Sequence, residues 1–83
     1  MSAKNKLLGR LKASPKDFTF SEAETLLLSL GFVKSNKGKT SGSRVLFTKG
    51  SVKIDLHRPH PRKELYRYQI AEIVRTLREE GLI

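Results

Sequence analysis

Two stretches of this chain carry side chains able to handle a phosphodiester. The segment His57-Arg58-Pro59-His60-Pro61-Arg62-Lys63 sets two imidazoles among three cations and two prolines. A neutral imidazole takes a proton and a protonated one returns it, so a pair of them can serve as base and acid. Cleavage of RNA by its own 2′-hydroxyl needs that pair, which makes His57 and His60 the candidate acid and base. Histidine and arginine planes also stack on unpaired bases. The plainer reading is a proline-stiffened turn whose histidines close a strand and open a helix.

The second stretch is Lys37-Gly38-Lys39-Thr40-Ser41-Gly42-Ser43-Arg44. Its glycines let the backbone come close to a ligand, and Lys37, Lys39, Ser41, Ser43 and Arg44 supply phosphate donors. The order G-x-x-x-x-G-K-[ST] does not occur, so a nucleotide-hydrolysing P-loop is excluded. A basic hairpin loop without a ligand fits the same composition. Lys53, Arg58, Arg62 and Lys63 extend the candidate RNA-binding set.

Charge favours a polyanionic ligand. The chain has 83 residues and a net charge of +9. Residues 34–63 hold nine of the 17 basic residues and a single acid, Asp55. Residues 17–33 carry three acids and no base, and residues 64–83 come to −1. A localised positive block between mildly acidic segments suits phosphate contacts and counterion release. Lysines spread only for solubility would not be segregated in this way.

Composition narrows the rest. With no cysteine there is neither a disulfide framework nor a thiolate metal site, and two histidines are too few for zinc without carboxylate help. No metal and no small-molecule cofactor are expected. No apolar run reaches the ~20 residues of a membrane span, and the N-terminus lacks the apolar region of a signal peptide. The expected setting is cytoplasmic, away from the membrane.

The elements that must position these residues follow from periodicity. Residues 1–16 read as a basic N-terminal arm or a short helix interrupted by Gly9, ended by Pro15; the folded domain is expected over 17–83. Ser21 and Glu24 have capping-box spacing. Ala23, Leu26, Leu27 and Leu30 then form one helical stripe, and Gly31 suits a C-cap. Phe32 and Val33 begin a short strand running toward an Asn36-Lys37-Gly38 turn.

Val45 and Phe47, then Val52, Ile54 and Leu56, alternate with polar neighbours around a Lys49-Gly50-Ser51 hairpin turn. Counting outward from that turn sets Arg44 opposite or near Leu56 and His57. The prolines of 57–63 require a loop. A last helix carries Ile70, Ile73, Val74 and Leu77, with Gly81 at its end. The fold class is α+β: helix, three antiparallel strands, helix, with both helices on one face of the sheet.

In its leading helix ending Leu30-Gly31-Phe32, its Gly-Ser element at 39–43, Leu56-His57, Pro59-His60-Pro61, Lys63-Glu64-Leu65 and the stripe Ile70, Ile73, Leu77, the stretch 17–83 resembles the HicA toxins of bacterial HicAB toxin–antitoxin modules. The resemblance implies a dsRBD-like α-β-β-β-α fold, translation-independent mRNA cleavage, and neutralisation by a HicB antitoxin. HicA toxins read Gly-Ser-His at the start of the second strand, and that histidine is catalytic. Here the tripeptide is Gly42-Ser43-Arg44. An arginine stays protonated and cannot be a general base. It can grip a phosphate bidentately and stabilise the charge that builds on it.

The expected function is therefore a metal-independent mRNA endoribonuclease toxin, with proton transfer at His57 or His60 and HicB as protein partner. Two alternatives stay open: a non-catalytic RNA-binding module, and a basic protein-interaction domain.

Overall fold

A computed structural model describes residues 3–13, 15–35, 44–59 and 61–83. The elements run α1 (Ala3–Lys12), α2 (Phe20–Ser29), β1 (Val33–Ser35), β2 (Arg44–Lys49), β3 (Val52–His57) and α3 (Arg67–Glu79). The expected Asn36-Lys37-Gly38 turn lies outside the described residues.

The strands form one antiparallel sheet in the order β1-β2-β3. Lys49 pairs with Val52 across a two-residue turn, the connection whose twist best matches that of the strands. It needs a positive φ, and Gly50 supplies it at 61°. Alternation then divides the sheet. Val45, Phe47, Ile54 and Leu56 are buried, while Arg44, Lys53, Asp55 and His57 are exposed. The buried face joins one core with Ala23, Leu26 and Leu27 of α2 and Ile70, Ile73 and Leu77 of α3. This is the expected α-β-β-β-α arrangement.

α1 precedes it. The helix runs through Gly9 without a break, packs on α2 and α3, and buries Leu11 completely in the common core. The sequence allows residues 1–16 to be either arm or helix, and nothing in it marks this anchor. A fully buried leucine holds a helix to its neighbours more firmly than α1's exposed lysines could.

The start of α2 corrects one expectation. The capping box is Thr19 with Glu22, not Ser21 with Glu24: the Glu22 N–H donates to Thr19 Oγ1 at 3.1 Å, and the Thr19 N–H donates to Glu22 Oε1 at 2.9 Å. Both pairs have the S/T-x-x-E spacing. The earlier one wins because it admits Phe20 to the first turn and buries it, with Phe18 buried just before the cap, where an apolar residue can staple the helix entry.

Both core helices end in Schellman motifs. The Phe32 N–H donates to the Leu27 carbonyl at 3.0 Å and the Leu82 N–H to the Leu77 carbonyl at 2.8 Å, with Gly31 and Gly81 at φ 101° and 72°. Gly31 is doubly constrained. A Cβ there would stand 2.7 Å from Lys49 Nζ, which itself donates to the Leu30 carbonyl at 2.6 Å. That lysine ties the hairpin to the end of α2.

One link had no sequence signal. The Leu65 N–H donates to the Phe18 carbonyl at 2.8 Å, and the Phe20 N–H to the Lys63 carbonyl at 3.1 Å. This isolated bridge pins the exit of the proline-rich loop to the entry of α2.

Candidate nucleic-acid interface

The solvent side of the hairpin presents Arg44, Leu46 and Thr48 on β2 against His57, Asp55 and Lys53 on β3, in that register. Side chains directly opposite in such a ladder have Cβ atoms about 4.5–5.5 Å apart. Arg44 and His57, both exposed, are therefore neighbours at the end of the sheet away from the turn. Arg44 Nη1 also lies 3.5 Å from Asp55 Oδ2, with both side chains more than half exposed. An exposed pair of that length is worth about 0–1 kcal/mol, so an arriving phosphate displaces it at little cost. Lys53 faces the same solvent four residues down β3, about 13 Å along the strand.

His57 is held by its backbone. Its carbonyl accepts from Gln69 Nε2 at 2.7 Å, while Gln69 Oε1 accepts the Tyr66 N–H at 2.9 Å. Gln69 is the one buried polar side chain among the described residues, and its amide spends both ends on joining the last residue of β3 to the first turn of α3. That amide fixes where the imidazole starts.

The loop beyond His57 is equally constrained. Pro59 is buried. The Arg58 guanidinium sits 4.7 Å from the Phe20 ring centroid and that of Arg62 4.5 Å from Tyr66. Arg62 Nε also donates to the Glu64 carbonyl at 2.9 Å. Arg58, Arg62 and Lys63 line a cleft of about 550 Å³ against Phe20, Ser21 and Glu24. Stacked guanidiniums keep their outward N–H donors for a phosphate while their planes are packed.

The sequence-derived candidates thus fall in two adjoining groups, Arg44, His57 and Lys53 on the sheet and Arg58, Arg62 and Lys63 on the loop. The join is the His57–Arg58 peptide. Lys37, Lys39, Ser41, Ser43 and His60 lie outside the described residues. Gln69, Tyr66 and Tyr68 were not singled out from sequence. Gln69 had a signal, the three-residue spacing from Tyr66 that lets an N3 amide reach back to the N-cap. The tyrosines had none, since their contact depends on backbone geometry at the helix start.

Residues 20–81 match the family model described as the HicA toxin of bacterial toxin-antitoxin. The chain belongs to the HicA toxin family. No curated protein and no solved structure matches it. The matched span takes in α2, the sheet, the proline-rich loop and α3, so both groups of cations belong to the HicA part of the chain. Membership of a HicA toxin family implies an antitoxin as the protein partner. Among the described residues, no helix is long and apolar enough to cross a membrane.

Proposed function

We propose that the chain is a HicA-type mRNA endoribonuclease working without metal, and that its active centre is built around the Arg44–His57 pair. The observation that carries this reading is the cross-strand register that sets a permanent cation beside an imidazole on an exposed, basic face. Arg44 stands where the resemblance to HicA toxins expects the catalytic histidine. It grips the scissile phosphate and offsets the charge that accumulates on it.

Proton transfer falls to histidine. One imidazole, His57 or His60, takes the 2′-hydroxyl proton as the 2′-oxygen bonds to phosphorus. The bond from phosphorus to the 5′-oxygen breaks, and the other imidazole, protonated, supplies that oxygen's proton. The products are a 2′,3′-cyclic phosphate and a 5′-hydroxyl, and no metal enters the balance. Lys53, Arg58, Arg62 and Lys63, with Lys37, Lys39, Ser41 and Ser43, hold the flanking phosphates. A HicB-type antitoxin silences such a toxin by covering Arg44 and His57, so RNA and antitoxin exclude one another; a stable ternary complex contradicts the occlusion.

The test is incubation of the purified chain with RNA in the presence of chelator. Cyclic-phosphate ends support the nuclease. RNA that is bound in a salt-dependent manner but never cut favours the non-catalytic module, and RNA left unbound at low salt favours a basic protein-interaction domain.

A further inference from the structure

Tyr66 and Tyr68 are the only tyrosines of the chain, which has no tryptophan. Both leave the core. They are 40% and 62% exposed. Their rings nevertheless face each other, with centroids 5.9 Å apart and planes within 15° of parallel. Residues i and i+2 of a helix do not normally meet. Here they do because Tyr66 is the N-cap, with extended backbone at φ −74° and ψ 156°. Arg62 adds a third plane over Tyr66. Tyr66 is committed to these two partners, whereas Tyr68 keeps most of its surface open to solvent.

The setting is polar and charged. Tyr68 lines a groove of about 210 Å³ together with His57 and Lys53, and its two carboxylates are each paired with an arginine, Asp55 with Arg44 at 3.5 Å and Glu72 with Arg75 at 3.8 Å. An open aromatic ring in a groove with phosphate-binding groups has the two parts that single-stranded nucleic acid needs, a track for the backbone and a surface for a base. A-form duplex cannot use the ring, because its bases are already stacked on one another. An unpaired nucleotide can. Its sugar is also free to swing the 2′-hydroxyl into line with the breaking bond, as the chemistry proposed above requires.

We propose that the Tyr66–Tyr68 stack is a platform for an unpaired base, and that the substrate of this chain is single-stranded RNA despite its double-strand-binding type of fold. The proposal rests on the RNA reading of the neighbouring site and deepens it. A base lies on Tyr68, with its phosphate directed to His57 and Arg44. Stacking accepts any base, so the platform selects strandedness and not sequence.

The fluorescence of the chain tests this directly, because all of it comes from the two tyrosines. The probe is a short 2′-O-methyl oligouridylate, which lacks the free 2′-hydroxyl needed for cleavage, alone or annealed to its 2′-O-methyl oligoadenylate complement. The single strand should quench tyrosine emission. Tyr68→Ala should weaken single-strand binding roughly 5- to 150-fold and leave duplex binding unchanged, while Tyr68→Phe keeps wild-type affinity. Tyr68 is largely exposed, so all three proteins should melt alike. If Tyr68→Ala binds the single strand as tightly as wild type, or loses single strand and duplex equally, the platform is wrong and the RNA reading stands. The platform is equally wrong if RNA binds with no change in emission, which leaves the tyrosines to a protein partner. If the wild type binds neither probe, the RNA reading fails and takes the platform with it.

Discussion

Gln69 Nε2 donates to the His57 carbonyl at 2.7 Å, so a side chain on α3 fixes the end of the strand that carries the candidate imidazole. Replacing Gln69 with leucine keeps most of the volume and removes both amide hydrogen bonds. The expected loss is about 1–3 kcal/mol, with Tm falling about 4–8 °C for each kcal/mol. Cleavage by the folded variant should drop more than RNA affinity does, because the phosphate-binding cations stay in place. A variant that melts and cuts like wild type would show that this amide positions nothing.

The cap of α2 separates two readings of one spacing. Thr19→Ala should cost about 0.5–2 kcal/mol by leaving the Glu22 N–H without its acceptor, whereas Ser21→Ala should be nearly neutral. Urea midpoints of the two variants decide between them. The reverse order would restore the box at Ser21 and Glu24.

Leu11 and Ile73 test the core from opposite ends of the chain. Both are buried to 2% exposure or less, and either change to alanine should cost about 2–5 kcal/mol. For Leu11 the result also reports on α1. A loss well under 1 kcal/mol would mean that α1 does not stay docked in solution.

How far the sequence disclosed this arrangement depends on the range of each signal. The strands and their turn were legible, and counting outward from Gly50 set Arg44 opposite or near Leu56 and His57; the two-residue turn between Lys49 and Val52 fixes the partner as His57. The stripes of α2 and α3 were legible from 3.6-residue spacing. The α2 cap was misplaced by two residues because Thr19-Glu22 and Ser21-Glu24 share one spacing, and only the burial of Phe18 and Phe20 separates them. The burial of Leu11, the bridge of residues 18–20 to 63–65 and the Tyr66–Tyr68 stack were not legible. Each joins groups through tertiary packing or an irregular backbone, which leaves no period. Lys37, Lys39, Ser41, Ser43 and His60 could be named only by residue type, since they lie outside the described residues.

Salt dependence tests the electrostatic footing of the site. With nine basic residues in 34–63, RNA affinity should fall on the order of tenfold or more between about 50 and 200 mM salt. A flat response would mean that phosphate contacts contribute little to binding.

The most direct test of the central claim is the cleavage rate of one labelled RNA in chelator by wild type, His57→Ala, and the double variant lacking His57 and His60. His57→Ala should cut about 10²–10⁴-fold more slowly, with RNA affinity changed less than about fivefold, the loss of one exposed phosphate neighbour being worth under about 1 kcal/mol. A double variant that cuts as fast as wild type would contradict the histidine assignment, and a wild type that does not cut at all would contradict the nuclease itself.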